Sequence, residues 1–216
     1  MSNGGDMDER ATALRDQLVA IVAREVRNAR VLEVLREIPR HAFVPEHPVE
    51  EAYADHPLPI GYGATISQPT VVGMMSEALA LHGGERILEI GTGSGYQAAV
   101  LSRLVAHVDT IEVVPDLAAR ARDILSALGC TNVDVHVGDG WRGLVHRAPY
   151  DRIVVTAAPD SLPAALIDQL AEGGLIVVPV GPQTRDQRLE RHLKRDGRLV
   201  HEDLGAVRFV PMVHAG

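Results

Sequence analysis

The chain has 216 residues, 46% of them hydrophobic, and a formal net charge of −8. That length suits one domain with a real core, and the acidic balance with no Lys/Arg cluster excludes broad contact with nucleic-acid phosphates. The lone Cys130 excludes an internal disulfide and fits a reducing, cytoplasmic setting, where it reads as a small buried hydrophobe.

The N-terminal stretch is polar and acidic, unlike a signal peptide, and its first seven residues are expected to fray. No apolar run reaches membrane-spanning length. From Asp8 to Glu37 apolar residues recur at helical spacing (Leu14, Leu18, Ile21 and Val22, then Val31, Leu32 and Leu35). Arg27-Asn28 divides them into two helices, with Asn28 as the second N-cap and Pro39 beyond the end. Residues 40–68 are rich in Pro, Gly and His and read as one long irregular segment, a kind that is often functional. Pro69 opens a helix with Met74, Met75, Ala78 and Leu79 inward and Gly83-Gly84 closing it. The pattern then alternates. Strands are predicted at 86–90, 108–113, 133–137, 152–156 and 175–180, and helices at 96–105, 115–128 and 163–170. Segments 188–194 and 198–207 flank Asp196-Gly197, a hairpin signal. The prediction is an α/β fold: a doubly wound, mostly parallel seven-stranded sheet with helices on both faces, antiparallel strands at the C-terminal end and an N-terminal helical extension. It forms a single domain, with residues 1–82 supplying helices and a substrate loop and 83–216 the cofactor-binding sheet and hairpin.

The strand at Ile87, Leu88 and Ile90 carries the acid Glu89 and runs into a turn with Gly91, Gly93 and Gly95 before the next helix. Alternating glycines let a ligand approach the backbone, and the helix N-terminus offers free N–H groups. A dinucleotide fingerprint needs glycine at the sixth place, and Tyr96 stands there. S-adenosylmethionine, an adenosyl ligand without phosphate, is the second candidate. Glu112 ends the next strand, where it suits ribose hydroxyls. Asp139, between Gly138 and Gly140, suits an adenine amine, although Asp-Gly pairs are also ordinary turns.

Ile87-Leu88-Glu89-Ile90-Gly91-Thr92-Gly93-Ser94-Gly95-Tyr96 resembles the first motif of class I methyltransferases. With Gln97 added, the wording is similar to that of the protein-L-isoaspartate O-methyltransferases. Pro39-Arg40-His41-Ala42-Phe43-Val44-Pro45, the stretch from Leu58 to Pro69 and the stretch from Tyr150 to Pro159 resemble three further signatures of that family. The resemblance implies that Gly91, Gly93, Ser94 and Gly95 hold the methionine end of S-adenosylmethionine, Glu112 the ribose, and Asp139 with Gly140 the adenine. It implies that Thr65 and Ile66 line the transfer site and that Ser67 is the active-site hydroxyl. A capping role for Ser67 at the helix that opens with Pro69 is its second reading. The family often has a threonine after Val-Pro-Leu; here Val213 follows Pro211-Met212. It also implies an unusual order of the last strands.

The implied reaction is attack of an isoaspartyl α-carboxylate on the sulfonium methyl. A carboxyl is ionised at neutral pH, so neither a general base nor a metal is needed. The ten histidines are scattered, and surface or capping roles are expected of them. The expected partners are isoaspartyl peptides and proteins, with D-aspartyl ones as a second class; no nucleic acid or membrane is expected, and a monomer is. Two alternatives stay open: a carboxyl methyltransferase acting on a biosynthetic peptide, and a cofactor-binding module without turnover.

Overall fold

The computed structural model describes residues 3–215, with side chains from Glu9 onward. Helix α1 (Asn3–Val22) and helix α2 (Ala29–Glu37) form the predicted N-terminal pair. The Asn28 side chain accepts from the N–H groups of Arg30 at 3.0 Å and Val31 at 3.3 Å, the expected cap. Val31 and Leu35 are buried as predicted, but Ile21 is 38% exposed. Helix α1 also runs back through residues 3–7, where fraying is expected; once a packed turn exists, each further residue adds one backbone bond. The rest of that expectation, at residues 1 and 2, lies outside the described residues.

Residues 40–68 are more regular than their composition implies. A short helix, α3 (Val49–Ala52), precedes strands β1 (Leu58–Gly61) and β2 (Ala64–Ile66). These pair antiparallel through a turn in which Gly61, Tyr62 and Gly63 all have positive φ. Strands this short leave almost no periodic trace. Helix α4 (Pro69–Ala78) opens on its proline as predicted but stops short of Gly83-Gly84. Ala80 takes the left-handed φ of 49° instead, and Arg152 Nε donates to the Leu79 carbonyl at 2.6 Å, satisfying one of the last free acceptors.

The main sheet holds β3 (Arg86–Ile90), β4 (His107–Glu112), β5 (Val133–Val137), β6 (Tyr150–Val155), β7 (Leu170–Val180), β8 (Gln187–Arg195) and β9 (Arg198–Val207), in the order β5-β4-β3-β6-β7-β8-β9. The first five are parallel, and β8 pairs antiparallel with both β7 and β9, with Asp196 at φ 52° and Gly197 at φ 70° making the hairpin turn. The last strands thus lie in chain order as a meander. Helices α5 (Tyr96–Ser102), α6 (Pro115–Ala127) and α7 (Ala164–Gln169) complete the alternation, α7 shorter and β7 longer than predicted.

Side-chain alternation divides the core between the two faces of the sheet. Ile87, Val154 and Val177 join one apolar cluster with α1, α2, α4, α5 and α6. Leu88, Ile153, Val155, Ile176 and Val178 join the other, to which, among the described residues, α7 is the one α-helix that contributes. Cys130 is buried and free, as expected. Because β4 and β6 lie on opposite sides of β3, the strand order reverses there, and this opens a crevice at the carboxyl ends of the strands.

Candidate active site

The turn after β3 is held from both sides. Gly91, Gly93 and Gly95 have φ of 95°, 53° and 89°. Thr156, just past β6, donates its hydroxyl to the Gly91 carbonyl at 2.6 Å, and a Cβ on Gly91 would lie 2.5 Å from Thr156 Oγ1. From β4, Glu112 accepts from Gly93 N–H at 2.8 Å and from Val114 N–H at 3.0 Å. Each carboxylate oxygen keeps further acceptor capacity.

This edge lines a cavity of about 280 Å³. Gly91, Gly93, Ser94, Glu112 and Gly140 contribute from the sheet, and Thr65, Ile66 and Ser67 from the hairpin side. The floor at Gly140 admits no side chain, since a Cβ there would sit 2.4 Å from Ile90. Two predicted residues do not line the cavity. Gly95 is the left-handed N-cap of α5, and a Cβ there would press on Ala121 of α6 at 3.2 Å, so helix packing explains it. Asp139 accepts from Trp141 N–H at 2.9 Å and from His214 Nδ1 at 3.2 Å, a turn-capping geometry. Burial pushes its carboxyl up, but those donors outweigh it and hold it below its usual range. Val213 lines the cavity and is 53% exposed.

The segment carrying Ser67 is anchored by residues distant in sequence. Asp55 accepts from Thr70 N–H at 2.9 Å, Thr70 Oγ1 at 2.8 Å and Gln68 Nε2 at 3.0 Å. Asp55 therefore satisfies the start of α4, Gln68 occupies the cap position, and Ser67 does not cap the helix. Across the hairpin, Tyr62 donates to Asp116 at 2.5 Å and Arg120 to the Ile60 carbonyl at 3.2 Å. A second cavity of about 380 Å³ lies on the other side of Ser67, bordered by Pro57, Gln68 and residues 206–210. Thr65, Ser67, Thr156 and Val210 border both cavities. The Ser67 hydroxyl has no hydrogen-bond partner among the described residues.

Glu89 is fully buried, one residue before Ile90, which lines the first cavity. Burial pushes its carboxyl up to about 8. The nearby Thr110 tempers that shift, but its hydroxyl is paired with Thr92 at 2.7 Å, and neither Glu89 oxygen has a partner in hydrogen-bond geometry. Burial therefore favours the protonated, neutral form of Glu89.

The sequence model of the protein-L-isoaspartate(D-aspartate) O-methyltransferase family matches residues 12–216. The chain belongs to this family. A protein-L-isoaspartate O-methyltransferase of Methanoculleus marisnigri is 51% identical over 201 residues, covering 92% of this chain and 91% of that protein. One from Anaeromyxobacter dehalogenans is 55% identical over 192 residues, covering 88% and 91%. Among solved structures, a protein-L-isoaspartate O-methyltransferase superposes with a TM-score of 0.84 at 32% identity, covering 91% of this chain and 65% of that one. A Plasmodium falciparum β-aspartate methyltransferase, solved with S-adenosyl-L-homocysteine, gives 0.79 at 23% identity, covering 92% and 98%, and shows the shared fold.

Within this methyltransferase family frame, three residues escape a reading of the sequence as a string. Thr156 fixes the glycine turn, Asp55 fixes the Ser67 segment, and Tyr62 latches the hairpin to α6. Thr156 had a usable signal, since it ends a predicted parallel strand on the edge where ligands bind. Tyr62 lies inside the Leu58–Pro69 signature, but nothing there points to a contact with α6, and Asp55 had no signal.

Proposed function

We propose that this protein transfers a methyl group from S-adenosylmethionine to the α-carboxylate of L-isoaspartyl residues in damaged proteins and peptides, the first step of their repair. The observation that carries the reading is Ser67, an unengaged hydroxyl between two cavities, one floored by the glycine turn and the other beside the last strand. The first cavity suits the cofactor: Gly91 and Gly140 leave backbone where a side chain would clash, Glu112 keeps acceptor capacity for ribose hydroxyls, and no Lys or Arg stands among the described lining residues to match a phosphate.

Bound S-adenosylmethionine would supply an electrophilic methyl on a sulfonium sulfur, whose methyl–sulfur bond breaks as the ester forms, with S-adenosylhomocysteine as the product that leaves. Gly91, Gly93 and Ser94 would hold its methionine end, Glu112 its ribose, and Gly140 the adenine edge. Asp139 would reach the adenine amine only by giving up part of its present pairing with His214. Thr65 and Ile66 wall the transfer site. The Ser67 hydroxyl donates a hydrogen bond to one oxygen of the substrate carboxylate and leaves the other free to attack in line. A neutral donor orients that anion without quenching it, so positioning supplies the rate. No residue has to remove a proton, which fits the absence of a His–Asp pair beside Ser67 among the described residues.

Residues 1–82 and 83–216 act in this reading as parts of one domain, monomeric and cytoplasmic; the free, buried Cys130 supports a reducing compartment. D-aspartyl residues are a second substrate class, supported by the family match. The test is methylation with labelled S-adenosylmethionine of matched peptides containing L-isoaspartate, D-aspartate or L-aspartate. Base-labile methyl ester is expected on the first and not on the last. Equal labelling of the L-aspartyl peptide, or none at all, rejects the proposal.

A further inference from the structure

We infer that Glu190, His192 and His201 form a binding site for a borderline divalent transition-metal ion such as Zn²⁺, which braces β8 to β9 away from the methyl-transfer site. Glu190 and His192 are two apart on β8 and so share a face, and His192 stands directly opposite His201 on β9. Both imidazoles turn Nε2 toward one carboxylate: His192 lies 2.8 Å from Glu190 Oε2, and His201 lies 3.6 Å from Glu190 Oε1. One ligand atom from each residue falls within 4.8 Å of the other two. Four-coordinate zinc with bonds of about 2.0–2.1 Å places its ligand atoms roughly 3.4 Å apart, so small rotamer changes close the site.

Two imidazoles and a carboxylate suit Zn²⁺, Co²⁺, Ni²⁺ or Cu²⁺ better than Mg²⁺ or Ca²⁺. The His201 side chain is 51% exposed, which leaves entry for the ion and room for water as a fourth ligand. The flanking charges on this face are already engaged. Arg188 binds Asp203 at 2.8 Å, and Lys194 donates to the Ile167 and Leu170 carbonyls. These residues share the sheet face of Ile176 and Val178, where among the described residues α7 is the one helix in the apolar cluster and reaches β8 through Lys194 alone. The chain beyond β9 goes on to border both cavities, so a brace there steadies their wall.

A second cluster, His107, Asp109 and Asp134, has comparable spacing but the wrong neighbours. Arg86 and Arg147 stand 3.7 Å and 3.9 Å from Asp109, and Arg147 3.2 Å from Asp134. Those guanidiniums already neutralise the carboxylates and repel a dication.

The experiment titrates the full, tag-free chain with ZnCl₂ by calorimetry and with CoCl₂ by visible spectroscopy. One zinc per chain and the absorption bands of four-coordinate cobalt are expected. His201→Gln should weaken zinc binding by roughly 10- to 100-fold or more, since even outer partners of a metal command that range. It should also lose the cobalt bands, keep the metal-free melting temperature and retain basal methyl transfer. His107→Gln should leave both titrations unchanged. Failure of the wild-type chain to bind zinc stoichiometrically, binding that survives His201→Gln, or binding lost in His107→Gln overturns the assignment.

Discussion

Strand β4 carries two buried acids three residues apart, and they meet opposite fates. Asp109, toward the amino end, is wholly buried and surrounded by side-chain donors: His136 at 2.8 Å, Tyr150 OH at 3.3 Å, and the guanidiniums of Arg86 and Arg147. Glu112, at the carboxyl end, is satisfied by two backbone N–H groups and still faces open space. The first is closed by its own chain and serves the fold. The second keeps acceptor capacity for something else. Burial alone does not separate a structural acid from a functional one; spare lone pairs beside a cavity do.

The most disruptive way to test that contrast is Asp109→Ala. It should cost about 3 kcal/mol of stability, the low end for a broken buried ion pair because Arg86 and Arg147 keep access to water. Cofactor affinity of the folded fraction should stay unchanged, and urea unfolding with parallel calorimetry reads both quantities. Lost affinity in fully folded variant would place Asp109 in the site after all.

Glu112→Gln should show the reverse pattern. In the proposed role, loss of the charge-assisted bond to ribose is worth about 2 kcal/mol, roughly a 30-fold weaker cofactor, with little change in melting temperature. If affinity holds while stability drops, the acid belongs with Asp109. Ser67→Ala comes next. It should lower kcat by roughly tenfold, about 1.4 kcal/mol for one bond to a charged group, with cofactor affinity unchanged. Unchanged turnover would remove Ser67 from the chemistry.

The pH-dependent test concerns a third acid, Glu89, whose two oxygens lack a partner in hydrogen-bond geometry. Its carboxyl rises from the ordinary 4.5 to about 8 in the folded chain. The folded state therefore holds a proton that the unfolded state has released between those two values. Stability falls as pH rises across that window, by at most about 1.4 kcal/mol per pH unit. Glu89→Gln keeps the neutral shape and should flatten that part of the slope in urea titrations at pH 6, 7 and 8. A variant with the wild-type slope would show that Glu89 is ionised.

Much of this was legible from residue order. The strand–helix alternation, the cap at Asn28, the proline opening α4 and the Asp196-Gly197 turn are local decisions, made within a few residues by hydrogen bonding, ring geometry and glycine's freedom. The glycine turn and Glu112 were legible for the same reason, since a strand end fixes its own neighbours. The hairpin at 58–66 was not, because two strands this short are stabilised by what they dock on: Tyr62 reaches Asp116 and Arg120 reaches the Ile60 carbonyl. Nor was the end of α4, where Arg152 of β6 supplies the donor that glycine usually makes unnecessary. The histidines looked scattered because β8 and β9 bring His192 and His201 together only when the hairpin closes.

By itself the sequence determined which segments are strands and helices, that a glycine turn faces the sheet edge, and which family the motifs resemble. Only the tertiary structure decided that Asp55 rather than Ser67 serves the start of α4, that Gly95 answers to helix packing, and that Asp139 is held by Trp141 and His214. The reason is physical. Secondary structure follows from forces between near neighbours, whereas whether a hydroxyl or carboxylate is left free depends on which distant groups arrive to satisfy it.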